Sequence, residues 1–419
     1  MAYPELRERI YGPLREGFWD CLYGKEYALA AAYPVTEAWV TAVREAAVRI
    51  ARIFAKTAAL LRRAPDEVLA QLGLPPQTFR VVRRKPLSAD AVICRLDLAV
   101  TDSGIKLLEL NADTPTFIKE LFFVNGRVAR AFGLEDPNKG LEEHLRRAVR
   151  AAVAESCADL GVDRDEAHVV FTAHADHPED YHTTLYLKEV SGLVNASFTP
   201  LDELAIDGSG LYDHAGRKID VLYRQTYPLE HLAADVDPDT GAPIGALLLE
   251  HVRRKKVALL NPPSAFLLQS KAVQVVVWGL HEAKSPYFTD EEHEWIAQHV
   301  LPTYLEPDVL RARGVWYVRK PAFGREGDTV VIFDERGVPI DASPKQSYRA
   351  SVPVYQQYVP LPRAVVPTAS GPEEVSLLVC CFLLYGEASA VGLRAGPPIT
   401  DDLSYFLPIG ILSKGGDER

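Results

Sequence analysis

The stretch Ala91-Val-Ile-Cys-Arg-Leu-Asp-Leu-Ala-Val-Thr-Asp-Ser-Gly-Ile-Lys-Leu-Leu-Glu-Leu-Asn111 decides how this chain is read. Side chains alternate between faces along a strand, so Val92, Cys94, Leu96 and Leu98 form one apolar face while Arg95 and Asp97 share the other. Glu109 and Asn111 share a face of the return strand in the same way. With Asp102-Ser103-Gly104 as a three-residue loop, Thr101 pairs with Ile105. That register sets Asp97 opposite Glu109 and Arg95 opposite Asn111. Two carboxylates held opposite one another repel, at a cost of roughly a few tenths to one kcal/mol. A hard divalent cation between Asp97, Glu109 and the Asn111 amide oxygen removes that cost, and oxygen-only ligation suits Mg²⁺ shared with phosphates. The other reading is a solvated polar face on which Arg95 simply pairs with Asp97.

Beyond the hairpin the chain runs Ala112-Asp113-Thr114-Pro115-Thr116. Pro115 keeps Thr114 extended, so this is a loop at the strand end. Its hydroxyls and amides fit an anion such as a substrate carboxylate, or an ordinary Asx or Thr turn. Farther on, residues 315–330 read as strand, glycine loop, strand. Lys320 ends the first strand, where an ammonium can meet a nucleotide phosphate, and Gly324 and Gly327 allow backbone N–H groups to close over it; a plain loop is the alternative. Lys271 is a second phosphate cation or a surface lysine at a helix start. Tyr355-Gln356-Gln357-Tyr358 is a hinge that meets an adenine or a packed strand end. Arg394, between Gly392 and Gly396, is an arginine on a flexible turn suited to developing phosphoryl charge.

The surrounding sequence predicts helices over Pro34–Arg63, Leu141–Leu160 and Ser270–Leu280 from their apolar spacing. Short β runs are predicted at 168–172, 220–224, 315–320, 329–333, 352–358 and 376–384. This mixed order predicts α+β with mainly antiparallel sheets, not strict βαβ alternation. The 419 residues carry a net charge of −11, which argues against a broad nucleic-acid surface and suits cationic or metal-bound ligands. Five cysteines without CxxC spacing argue against structural zinc or a disulfide framework. Neither a Rossmann glycine pattern nor a P-loop is present. Without a signal-like start or an apolar run near the ~20 residues that span a bilayer, a cytoplasmic protein with no membrane partner is expected.

Taken in order, Arg95-Leu-Asp97, Glu109-Leu-Asn111-Ala-Asp113, Gln269-Ser-Lys271, Arg319-Lys320-Pro321 with its glycine loop, Tyr355-Gln356-Gln357 and Gly392-Leu-Arg394 resemble the ATP-grasp synthetase domain of glutathionylspermidine synthase and its stand-alone bacterial relatives, from about Arg95 to Ile411. The resemblance implies an ATP-grasp-like synthetase in one integrated unit. A helical N-terminal segment (1–90) precedes a pre-ATP-grasp region for substrate and metal (91–260) and a nucleotide-binding region (261–419). It implies Mg²⁺ on Asp97, Glu109 and Asn111, and Arg95 and Arg394 beside the transferred phosphoryl group. ATP falls to Lys271, Lys320, Gly324, Gly327 and Gln356, and the acid substrate to Thr114 and Thr116. Glu179 and Asp180 would hold the amine, with Asp402 or its neighbour Asp401 adding a carboxylate, although Glu179-Asp180 also reads as an acidic helix N-terminus.

The implied activity joins a small-molecule acid to an amine or polyamine. ATP phosphorylates the carboxylate, and the amine displaces phosphate from the acyl phosphate. The sequence departs from the family at Glu326 and Asp328, two carboxylates in the phosphate loop, and shows no amidase-type Cys/His pattern ahead of the synthetase region. A non-catalytic, ligand-binding relative is the alternative.

Overall fold

The computed structural model describes residues 2–412. Helix α1, Glu37–Leu61, starts where the Thr36 hydroxyl accepts from the Trp39 N–H. Its buried stripe (Val43, Ala47, Ile50, Phe54, Leu61) follows helical spacing and packs under the largest sheet. Each large side chain buried there contributes roughly 1.5–3 kcal/mol. The segment before α1 is less helical than expected: Cys21–Leu22 pairs with Lys25–Glu26, and Tyr33–Val35 with Ile409–Ile411.

The hairpin forms as β1, Ile93–Thr101, and β2, Gly104–Asn111. Its turn has two residues, not three: Thr101 pairs with Gly104, whose φ of 120° suits only glycine. That alone would shift every partner by one. A β-bulge at Leu108 then adds the missing residue, and Asp97 faces Glu109 and Arg95 faces Asn111 as predicted.

Helix α2, Leu141–Leu160, matches its predicted bounds. The following elements were only partly foreseen. Strand β3, Val169–Ala173, leads through helix α3, Pro178–Ser191, to β4, Ala196–Phe198, and then to β5, Val221–Gln225, and β6, Ala258–Leu260. They form a four-stranded sheet in the order β6-β5-β3-β4, parallel throughout. Strands of three to five residues, the two central ones buried on both faces, carry no alternation to announce a parallel sheet. Helix α4, Val273–Glu282, starts two residues after Lys271, which lies in the corner leading into it.

The two larger sheets are antiparallel, while Ile409–Ile411 runs parallel to Tyr33–Val35. Strands β7, Tyr317–Pro321, β8, Val331–Phe333, β9, Pro339–Ala342, and β10, Pro353–Gln357, join Thr303–Tyr304 in a five-stranded sheet. Strands β11, Arg363–Thr368, β12, Gly371–Leu384, β13, Glu387–Gly396, and β14, Tyr405–Leu407, complete the largest sheet. Its order is β14-β13-β12-β1-β2, with β11 pairing the first half of β12. Arg394 thus lies within strand β13, paired with Leu378 and Phe406, and not on a flexible turn. Cys380 and Cys381 are core thiols on β12. Among the described residues, no helix is long and apolar enough to cross a membrane.

Candidate active site

A cavity of about 830 Å³ opens where the three large sheets approach one another. Arg95, Asp97, Glu109, Asn111, Thr114, Thr116, Glu179, Asp180, Lys271, Lys320, Gly324, Gly327, Gln356, Arg394 and Asp402 all line it. Residues scattered over some three hundred positions of sequence therefore share one space.

At its floor the polar face of the hairpin is not solvated: Arg95 is 6% exposed and Asp97 2%. Arg95 grips Asp97 with two hydrogen bonds, Nε to Oδ1 at 2.7 Å and Nη2 to Oδ2 at 2.9 Å, and donates from Nη1 to the Thr116 carbonyl at 3.1 Å. Burial, with Glu109 beside it, pushes the Asp97 carboxyl up against the opposing pull of Arg95. Burial alone would also raise Glu109, but Lys271, Lys320 and Arg95 outweigh it and hold that carboxyl well below the usual range. The Lys271 ammonium lies 3.1 Å from Glu109 Oε2 and donates to the Gly324 carbonyl at 3.0 Å. At 7% exposure it is no surface lysine.

Lys320 donates to Gln356 Oε1 at 2.8 Å and to the Leu108 carbonyl, which the bulge turns toward it, at 3.3 Å. Burial lowers this ammonium to about 8, with Lys271 adding to the effect and Glu109 opposing it. Gln356 gives its amide to Gln274 at 2.9 Å. Both ends of its side chain are thus engaged, so in this structure it positions Lys320 instead of presenting a free edge to an adenine.

The Asn111 Nδ2 lies 3.4 Å from Asp97 Oδ2 and 3.2 Å from Glu109 Oε1, bridging the two carboxylates. Turned over, the same amide would present oxygen between them. Among the described residues no three His, Cys, Asp or Glu side chains group as a metal site. The available set is two carboxylates and an amide, which fits a hard cation that takes its remaining ligands from phosphate and water.

The loop after β7 explains its own glycines. A Cβ on Gly324 would lie 2.4 Å from Pro321 Cγ, and one on Gly327, at φ 68°, would lie 2.7 Å from the Thr400 carbonyl. Asp328 turns into its loop, accepting from the Ser347 N–H at 2.9 Å and the Thr329 hydroxyl at 2.8 Å. Glu326 lies 3.7 Å from Lys345, which binds Asp402 at 2.8 Å. The carboxylate expected to meet an amine, Asp402, thus already has a lysine partner.

Thr114 accepts from Arg325, a residue that the sequence reading passed over, while Asp113 forms a buried ion pair with Arg224. Gln269 Oε1 accepts from the Ala112 and Asp113 N–H groups at 2.7 and 3.1 Å, fixing the loop's path. Glu179 and Asp180 occupy the first turn of α3, where His177 caps the helix and Pro178 starts it. Both readings of this segment are therefore compatible with the geometry. The helix N-terminus favours ionised carboxylates, yet burial and the neighbouring carboxylates of Glu120 and Asp180 raise Glu179 to about 8. Imidazole and phenol rings also border the cavity: His174 lies 4.7 Å from Tyr227, and His231 stacks on Tyr348. Their spread over separate loops leaves no local sequence signal.

An α+β body of mainly antiparallel sheets enclosing such a cavity is a synthetase fold of the glutathione synthetase-like, ATP-grasp type. A glutathione synthetase-like effector from Globodera pallida superposes with a TM-score of 0.57 at 12% identity, over 97% of this chain and 96% of that one. The sequence profile described as glutathionylspermidine synthase pre-ATP-grasp matches residues 18–412, and the chain belongs to that family. A Haemophilus influenzae protein named "Putative acid--amine ligase" is 26% identical over 328 residues, covering 75% of this chain and 73% of its own.

Proposed function

We propose that this protein is an ATP- and Mg²⁺-dependent ligase that joins the carboxylate of a peptide-like acid to an amine or polyamine through an acyl phosphate. The observation that carries the reading is the convergence of the hairpin carboxylates, Lys271, Lys320 and Arg394 on one cavity. The family and the name of the Haemophilus influenzae relative support the acid–amine class.

Asp97, Glu109 and Asn111 would hold Mg²⁺, which supplies charge neutralisation for nucleotide phosphates. Lys271 and Lys320 bind phosphate oxygens, and the paired carboxylate of Glu109 places Lys271. Arg394, whose Nη2 donates to the Asp401 carbonyl at 2.6 Å and which has no carboxylate in ion-pair contact among the described residues, stabilises charge that develops on the transferred phosphoryl group. Arg95 stays locked to Asp97 and orients Thr116, while Thr114 and Thr116 position the acid. Glu179 and Asp180 bind the cationic amine at the opposite wall. No covalent enzyme intermediate is required.

Incubation with Mg·ATP and a panel of glutathione, short γ-glutamyl peptides, spermidine and diamines tests the reading through ADP release that requires both an acid and an amine. Mg·ATP should also raise the melting temperature, and Asp97→Asn should remove most of that shift. Absence of nucleotide binding at millimolar concentration overturns the site and the ligase together. Binding with no ADP release across the panel selects the non-catalytic alternative.

A further inference from the structure

The cavity carries two pairs of carboxylates, and only one of them is open to a cationic ligand. Glu179 and Asp180 stand in the first turn of α3, where His177 Nδ1 lies 3.4 Å from Asp180 Oδ2. Neither has a lysine or arginine in ion-pair contact among the described residues. Glu326 and Asp402 form the second pair, and it is taken: the Lys345 ammonium lies 2.8 Å from Asp402 Oδ2 and 3.7 Å from Glu326 Oε2. These carboxylates and the lysine all line the same cavity.

The backbone holds this arrangement in place. Gly327 packs so closely on the chain at 399–400 that a Cβ there would lie 2.8 Å from Ile399 Cγ2, which brings Glu326 to the side of Asp402. Glu326 itself keeps a left-handed backbone at φ 55°, a conformation that persists in a residue with a Cβ only where its surroundings demand it. The Thr329 N–H donates to the Lys345 carbonyl at 2.9 Å, so the lysine side chain starts from a fixed point. Asp401 is no substitute for Asp402, because its Oδ1 accepts from the Leu403 N–H at 3.1 Å and the Ser404 hydroxyl at 3.0 Å within its own turn. Across the rim the Tyr23 hydroxyl meets His177 Nε2 at 3.3 Å. Burial raises that phenol, Glu326, Asp402 and Glu179 add to the rise, and Lys345 opposes it, which sets both carboxylate pairs around one opening.

We propose that Lys345 is a specificity-determining residue whose own ammonium fills the place that a second ammonium of the amine substrate would take, so that the chain selects a diamine over a longer polyamine. The inference rests on the ligase reading and narrows its amine. Of a diamine's nitrogens, one must be neutral to attack, and the other remains an ammonium for Glu179 and Asp180. A triamine brings one ammonium more, and the carboxylates that would receive it are already neutralised. A tethered cation competes at an effective concentration on the order of millimolar, and a free ammonium must displace it or sit beside a like charge.

The test is the ratio of kcat/KM for spermidine to that for putrescine, read from ADP release at saturating Mg·ATP and acid. Both rates come from one preparation, so a general loss of fold or activity cancels. The unaltered protein should favour putrescine. Lys345→Met keeps the aliphatic stem, removes the charge, and should raise the ratio about fivefold through a lower KM for spermidine, the worth of a partly exposed ion pair. Lys345→Arg keeps the cation and should keep the ratio, and adding Asp402→Asn to Lys345→Met should cancel the gain. An unmoved ratio in Lys345→Met overturns the proposal. So does a preference for spermidine in the unaltered protein, since a distal ammonium would then displace the lysine freely. Titration calorimetry of the two amines needs no turnover: Lys345→Met should gain about fivefold more affinity for spermidine than for putrescine. That gain without ADP release from any acid would sink the ligase and keep the amine site. ADP release without the gain would sink the amine site alone.

Discussion

Lys320 shows how one buried ammonium would answer to the proposed ligand. Burial lowers it to about 8, below the ordinary lysine value, so the ammonium gives up its proton more readily than a solvated lysine and is largely neutral only above about pH 8. By linkage this group costs stability while it is charged, and the cost disappears as pH rises from about 8 toward the unfolded value. A phosphate beside it reverses the preference. Nucleotide binding near pH 8 should therefore take up a proton, measurable as a buffer-dependent heat in titration calorimetry. Affinity for Mg·ATP should decline as pH passes about 8. Lys320→Met should abolish the uptake and weaken binding roughly 10- to 100-fold, the loss of a charge-assisted contact. Tight binding with no proton uptake would remove Lys320 from contact with phosphate. Individual polar residues on alternating strands were legible in the sequence for a simple reason: an Arg or Asp inside an apolar run needs a partner. Glu120 carried the same signal in Phe117-Ile-Lys-Glu-Leu-Phe-Phe-Val124, but its partner is the Tyr27 hydroxyl, far along the chain.

At the scale of elements, the hairpin was legible in its pairings near the site and illegible at its turn. The alternation fixes which side chains share a face, whereas a bulge depends on what the bulged carbonyl meets. Here the Leu108 carbonyl accepts from Gln274 and Lys320, contacts that no local pattern encodes. The parallel sheet was hidden likewise, because its short strands are recognised only by their neighbours. The join between that sheet and the hairpin rests on Asn261, directly after β6. Its Oδ1 accepts from the Val92 and Ile93 N–H groups, and its Nδ2 donates to the carbonyls of Ile93, Ala112 and Asp113. One side chain thereby holds the start of β1 against the end of β2 and fixes the loop that carries Thr114. Asn261→Ala leaves several buried polar groups unsatisfied, so a loss of about 3–5 kcal/mol is expected from the urea midpoint at unchanged m. Asn261→Asp keeps the accepting oxygen but turns a carboxylate oxygen on three carbonyls, so it should cost at least as much. A loss under about 1 kcal/mol for the alanine variant would show that water replaces these bonds.

For the whole molecule, the cavity exists only because distant segments close one core. Strand β12 pairs with β1 from Val379–Leu98 to Leu384–Ile93, and Ile409–Ile411 lies alongside Tyr33–Val35. Helix α1 covers β12 and β13, and a single apolar cluster draws on Leu29, Val43, Leu96, Phe266, Val354 and Ile409. We infer that the regions 1–90, 91–260 and 261–419 are successive parts of one cooperative unit, not modules that fold separately. A fragment of 261–419 would leave one edge of β12 unpaired and the face beneath α1 bare to water, losing burial worth roughly 25 cal/mol per Å² of apolar area. Unpaired strand edges of this kind also favour aggregation. The fragment should therefore show no cooperative thermal transition and should bind no Mg·ATP, since Asp97, Glu109 and Asn111 lie outside it. The intact chain should unfold in one transition whose midpoint climbs with Mg·ATP concentration, as expected when ligand binds only the folded form. Two separable transitions, only one of them ligand-dependent, would mean that the nucleotide-binding region is stable by itself. In that case the shared core between β1 and β12 would be an interface between domains.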